Sequence, residues 1–174
     1  MADFAAYQAR ILSYVKGKDP IAMQREMPEL LAGLIAGVSR DKLAARPAPE
    51  KWSITEIVAH LSETEWAAGW RYRQMIENPG TALPGYDQEL WERLGNYSSR
   101  KLEDSLQTFQ LLRAANLGML GRLTPQQWES KGVHSERGPM TVRTLASQMA
   151  GHDRNHIEQI ERILGRQRYE DCRT

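Results

Sequence analysis

Cysteine is almost absent: the 174 residues include one, Cys172, third from the end. A single thiol cannot close an internal disulfide, so nothing points to an oxidising compartment. An excess of either charge is missing too. The 23 basic and 22 acidic side chains leave a formal net charge of +1. No helix shows a basic stripe, which argues against nucleic-acid or membrane binding. The longest uncharged apolar run, Leu30 to Ser39, is far shorter than the ~20 residues that span a bilayer. The first residues, Met-Ala-Asp-Phe-Ala-Ala-Tyr, lack the basic start and apolar core of a signal peptide. These absences lead to the expectation of a cytoplasmic protein.

What is present suits one folded domain over residues 1–174. The chain is 41% hydrophobic and 26% charged, and its length buries a core without disulfides or a structural metal. Nearly every segment has helical periodicity, and no clear alternating run of β-branched residues appears. Phe4, Tyr7, Ile11, Leu12 and Val15 mark a short first helix, ended near Gly17. A second runs from about Pro20 to Ser39, with Pro28 placed to kink it or reset its start. Ser53-Ile54-Thr55-Glu56 matches a capping box and opens a helix to about Glu77, which Asn78-Pro79-Gly80 stops. A short helical piece follows over Tyr86 to Leu94, then a long helix from about Ser99 to Leu123. Thr124-Pro125-Gln126-Gln127 has the same capping pattern, with proline at the first helical position. Lys131 to Met140 reads as irregular. Thr141 caps a final helix that reaches Leu164 and ends at Gly165. The expected fold is all-α: an antiparallel four-helix bundle with a short extra N-terminal helix and a long crossover around residues 79–98.

Of the four histidines, His152 and His156 are one helical turn apart, about 40° around the axis and roughly 6 Å along it. That spacing lets two imidazoles share a metal ion. The apolar stripe of the last helix runs Val142, Leu145, Met149, His152, His156, Ile160, Ile163, so both rings should face the bundle interior. A buried polar atom without a partner costs roughly 1–3 kcal/mol. A metal would satisfy one nitrogen on each ring; hydrogen bonds to side chains or carbonyls would do as well, and these two residues leave both readings open. His60 lies on the third helix, between the stripe of Ile54, Ile57, Val58, Leu61 and Ala68 and a second apolar face with Ala59, Trp66 and Trp70. From that shoulder it could point into a cleft. Three imidazoles from two helices, with coordination positions left open, would make a catalytic rather than a structural metal pattern.

Other residues carry less. His134 is on a loop that could cover the site. Glu63, one turn after His60, could be a base, a supporting partner or a solvated carboxylate. Arg71 and Arg154 could meet an anionic substrate or pair with surface acids. Asp153 is about 100° around the helix from His152 and is not taken as a ligand. Trp66 and Trp70 suit packing or a dimer face. Cys172 lies in a polar tail with nothing to activate it. No residue is singled out as catalytic.

Two segments resemble a known family. Lys51-Trp52-Ser53-Ile54-Thr55-Glu56-Ile57-Val58-Ala59-His60-Leu61 is similar to the first conserved block of the DinB/YfiT-like superfamily, and Gly151-His152-Asp153-Arg154-Asn155-His156-Ile157-Glu158-Gln159-Ile160 to its last. The resemblance implies a bundle of four long helices in which His60 joins His152 and His156 around one divalent ion, zinc or nickel, with water completing the site. It also implies a homodimer. Several members are thiol-dependent transferases, so the resemblance implies transfer of a low-molecular-weight thiol to an electrophilic small molecule, with a metal-dependent hydrolase or a non-catalytic metal protein as the alternatives. Residues 79–100 match no family motif.

Overall fold

The computed structural model describes residues 2–166; Cys172 lies outside the described residues. The long helices are α2 (Pro20–Ile35), α4 (Ile54–Glu77), α6 (Leu102–Leu120) and α8 (Val142–Leu164), with α1 (Ala2–Ser13) before them and the short α3 (Arg40–Ala44), α5 (Gln88–Gly95) and α7 (Pro125–Trp128) between them. The bundle is the expected four-helix one. α4 packs against α6 and α8, and α2 packs against the same two. The order around the bundle is therefore α2, α6, α4, α8, with α2 and α4 diagonally opposed. α1 lies along α8, and the contact is close. A Cβ at Gly151 would stand 2.0 Å from the Ile11 carbonyl oxygen, so only glycine lets the two backbones approach this far.

The caps explain most helix boundaries. Ser53 Oγ accepts from the Glu56 N–H while the Glu56 carboxylate accepts from the Ser53 N–H, and Thr124 and Gln127 close the same pair of bonds. Thr141 caps α8, and Gly165, at φ 68°, ends it. The second helix is shorter than expected. It stops at Ile35, because Gly37 turns at φ 72° and Ser39 caps α3, which periodicity did not reveal. Pro28 stays inside α2 and does not reset its start. The long helix expected from Ser99 begins at Leu102 and stops at Leu120, after a 3-10 turn over Tyr97–Ser99.

Residues 131–140 are not irregular. β2 (Lys131–His134) and β3 (Gly138–Thr141) form an antiparallel hairpin, and β1 (Thr81–Leu83) adds to β2 in parallel. The alternation escapes a search for apolar residues because the inward positions of β2 are Gly132 and His134, while Val133 faces out. Gly132 is required there, since a Cβ would meet Leu83 and Met75 at 2.6 and 2.8 Å.

Two apolar clusters flank a polar middle. One joins Met27 and Leu31 of α2, Ile57 and Leu61 of α4, Phe109 of α6 and Ile160 of α8. The other joins Tyr72 and Met75 of α4 to Leu83, Met140, Leu145 and Met149. Between them Arg113, 1% exposed, ties the four long helices together. It donates to the Gln24 carbonyl of α2 at 3.0 Å and to Glu65 of α4 at 2.7 Å, and pairs with Asp153 of α8 at 2.7 Å. Asn116 donates to the second Glu65 oxygen at 2.8 Å. Burial works against the Arg113 charge, but Asp153 and Glu65 more than offset it and hold its pKa above the ordinary value. No helix among the described residues is long and apolar enough to cross a membrane.

Candidate metal centre

α4 and α8 are neighbours in the bundle, and this brings His60 to His152 and His156. His152 Nε2 lies 3.1 Å from His60 Nε2 and 3.2 Å from His156 Nε2. Three imidazole nitrogens facing one another cannot satisfy themselves by hydrogen bonding, because each pair needs one donor and one acceptor and every ring has a single Nε2. A shared cation removes the conflict. With bonds of about 2.0–2.1 Å, adjacent ligand nitrogens on one ion lie about 3.0–3.4 Å apart, which matches both measured edges. The donor set therefore fits a divalent metal, and among the described residues these three are the group of potential ligands that converges.

The surroundings keep the lone pairs available. Burial, then the neighbouring imidazoles, push the His60 pKa well below its ordinary value. Burial and His152 lower that of His156 to about 3. Both rings are neutral at physiological pH. The Nδ1–H of His156 donates to Gln159 Oε1 at 3.0 Å, which leaves Nε2 unprotonated and turned to the cluster. His152 Nδ1 is buried without a hydrogen bond, 3.8 Å from Asp153 Oδ1. Asp153 is thus held by Arg113 on one side and adjoins a candidate ligand on the other. It is not in the converging group. Trp52 covers His60, with ring centroids 4.9 Å apart.

The cluster borders a cavity of about 590 Å³. α1 is more than an appendage here, because Tyr7, Arg10 and Ile11 form one wall. His134 also lines the cavity but is buried rather than solvated, and Glu136 N–H donates to its Nδ1 at 3.2 Å. Arg71 lines it as well. Arg154 does not; it pairs with Glu161 at 3.5 Å. Glu63 faces another side of α4, where it accepts from Tyr97 at 2.8 Å and pairs with Arg100. Trp66 and Trp70 are 58% and 40% exposed, so neither is a core residue. Thr64 and Tyr86 were not anticipated: Thr64 Oγ1 lies 3.3 Å from His60 Nε2 and 3.1 Å from the Tyr86 hydroxyl. Thr64 follows His60 by one turn, a spacing that could have pointed to it. Tyr86, expected to open a helical piece, lies just before α5, which starts at Gln88, and gave no such signal.

A sequence model of the DinB superfamily matches residues 23–160, well over half of the chain. The chain belongs to the DinB superfamily. Within that superfamily it is 22% identical over 141 residues to a protein of Oceanobacillus iheyensis that carries the provisional name of metal-dependent hydrolase, with 81% of each chain covered. A protein of Geobacillus thermodenitrificans with the same provisional name is 22% identical over 144 residues, covering 82% of this chain and 81% of its own. The fold is similar to that of YfiT from Bacillus subtilis, described on provisional grounds as a metal-dependent hydrolase with an unusual four-helix bundle topology. The two superpose with a TM-score of 0.77 at 20% identity, over 85% of this chain and 87% of that one.

Proposed function

We propose that this DinB-superfamily protein is a metal-dependent enzyme for small molecules. His60, His152 and His156 would hold one divalent ion, zinc or nickel, and the reaction would be attack of a low-molecular-weight thiol or water on an electrophilic substrate. The observation that carries this reading is the convergence of three imidazole nitrogens beside a cavity, with no fourth ligand in the group among the described residues. Three protein ligands leave coordination positions open, as in catalytic sites. Imidazole suits zinc and nickel alike. A divalent ion in that place would lower the pKa of a thiol or water and so supply a nucleophile near neutral pH.

The chain's own groups do the rest. Thr64 Oγ1, between His60 and the Tyr86 hydroxyl, is placed to receive the proton that the nucleophile gives up and to pass it toward Tyr86. Trp52 shields the outer face of His60 from water. In the thiol reaction a sulfur–carbon bond would form as the bond from that carbon to the leaving group breaks, the leaving group taking the electron pair, and the thiol proton would be relayed through these hydroxyls to water in the cavity. The cavity, about 590 Å³, has room for a drug-sized substrate in either reaction. The provisional names of the relatives favour hydrolysis. We also propose that the face bearing Trp66, Trp91 and Leu94 meets a second copy of the chain, for which light scattering at high concentration is the test; a strict monomer would remove that part.

The deciding assay offers a panel of cellular thiols and a model electrophile to zinc-, nickel- and manganese-loaded protein, with ester and amide substrates in parallel. Conjugation above the metal-free control that His60→Ala abolishes supports transfer. Hydrolysis alone selects the hydrolase. No turnover of either kind overturns the enzyme reading and leaves a metal-binding protein.

A further inference from the structure

Besides the three histidines, the cavity lining carries Arg71, Arg137 and His134. Arg71, from α4, is 6% exposed, and its guanidinium donates to the Pro84 carbonyl at 2.8 Å and lies 5.5 Å from the centre of the Tyr86 ring. No carboxylate among the described residues pairs with it. A guanidinium buried to that degree without an anionic partner bears a large desolvation cost, in contrast to Arg113, which has two carboxylates. Arg137, on the β2–β3 turn, lines the same cavity and donates to Gln148 Oε1 at 3.1 Å. His134 lies close to both. Burial, then the charges of Arg137 and Arg71, lower its pKa to about 4, so the ring is neutral. Its Nδ1 accepts from the Glu136 N–H, so the ring proton is on Nε2, a donor for whatever fills the cavity. The cavity also carries Glu136, but that carboxylate leaves Arg71 unpaired.

We propose that Arg71, Arg137 and His134 form an anion subsite that seats a carboxylate or phosphate group of the substrate. Two guanidiniums and a neutral ring N–H present donors to one group, the arrangement that recognises planar or tetrahedral oxyanions. The inference rests on the proposed function only for the word substrate; the subsite itself needs no metal. It deepens that reading by giving the small molecule a chemical class: an anionic compound, held by its charged end at Arg71 while its other end reaches the histidines.

The test is thermal unfolding in sodium succinate and in sodium phosphate, each against sodium chloride at equal ionic strength, with and without prior chelation of divalent ions. Wild-type protein should be stabilised by at least one of the two anions in both metal states, and the more effective one identifies the group. Arg71→Gln should weaken the apparent affinity roughly tenfold or more, the loss expected for a charge-assisted contact, and Arg71→Lys should recover part of it. Arg143→Gln, on the exposed far side of α8 where Arg143 pairs with Glu129, should respond like wild type. Should Arg71→Gln fail to fold, His134→Ala provides a second removal, with a smaller loss expected. A response that Arg71→Gln and His134→Ala leave unchanged overturns the subsite, as does no response to either anion. A response that appears only with metal present and survives Arg71→Gln places the anion on the ion, overturning the subsite and leaving the metal reading intact. Anion binding through Arg71 in a protein that takes up no metal would do the reverse.

Discussion

Asp153 and His152 are adjacent on α8, yet they belong to polar clusters of opposite kinds. Asp153 turns inward to Arg113, whose guanidinium also pairs with Glu65 and donates to the Gln24 carbonyl, so every charge there meets an opposite one although Arg113 Nε and Asp153 Oδ1 make no hydrogen bond. His152 turns to the cavity, where its Nε2 meets two other rings that cannot all be satisfied and its Nδ1 has no hydrogen bond. Both clusters are buried in the same bundle, so depth does not separate them. Charge pairing does. A cluster whose charges meet opposite charges within the protein is architecture, and one of facing ring nitrogens beside a cavity is poised for something from outside.

The sharpest way to break the contrast is to unpair the charged cluster. Arg113→Met would strand Glu65 and Asp153 as buried, unpaired carboxylates. Urea unfolding should register a loss of about 3–5 kcal/mol, and a loss below 1 kcal/mol would refute the architectural role. Gly151→Ala comes next. The added methyl meets the Ile11 backbone rather than a flexible side chain, so α1 must move away from α8 at a cost of about 1–3 kcal/mol. Increased proteolysis at the N-terminal end would locate the change.

Acid gives a smaller, graded effect. His60, His134 and His156 all have folded-state pKa values below the unfolded one. The unfolded chain therefore binds more protons below about pH 6.5. Their contribution is complete above that pH and lost as pH falls toward 4 and then 3. Metal-free protein should show an unfolding midpoint that declines from pH 6.5 downward, and a flat profile to pH 4 would contradict the assignment. Ser53→Ala removes the cap of α4 and should cost about 1 kcal/mol by the same denaturation. The smallest change in stability is expected from His156→Ala in the metal-free protein, since it relieves the conflict among the ring nitrogens. That variant should nonetheless lose most of its bound metal by elemental analysis; full occupancy would remove His156 from the ligands.

Much of this was legible beforehand. The capping boxes at Ser53 and Thr124, the caps at Thr141 and Gly165 and the stripe that carries His152 and His156 are local patterns. The Arg113 cluster was written in the same code, though unrecognised: Phe109, Arg113, Asn116 and Leu120 step by four, three and four residues, and so place polar groups in core positions. Nonlocal facts were beyond periodicity. Nothing within α4 or α8 says that they are neighbours; resemblance supplied that. The strands were hidden by glycine and histidine at their inward positions, and Tyr86 lies where neither helix nor strand imposes a pattern.

The cavity's two sides have different origins in the chain. The histidines come from bundle helices fixed by core packing on both flanks. Tyr86, Glu136 and Arg137 come from the connections around β1 and between β2 and β3. Exchanging those connections would change what the cavity accepts without disturbing the three rings. In evolutionary terms, the three rings and Arg71 are tied to the bundle, while the lining contributed by the connections is free to drift with the loops.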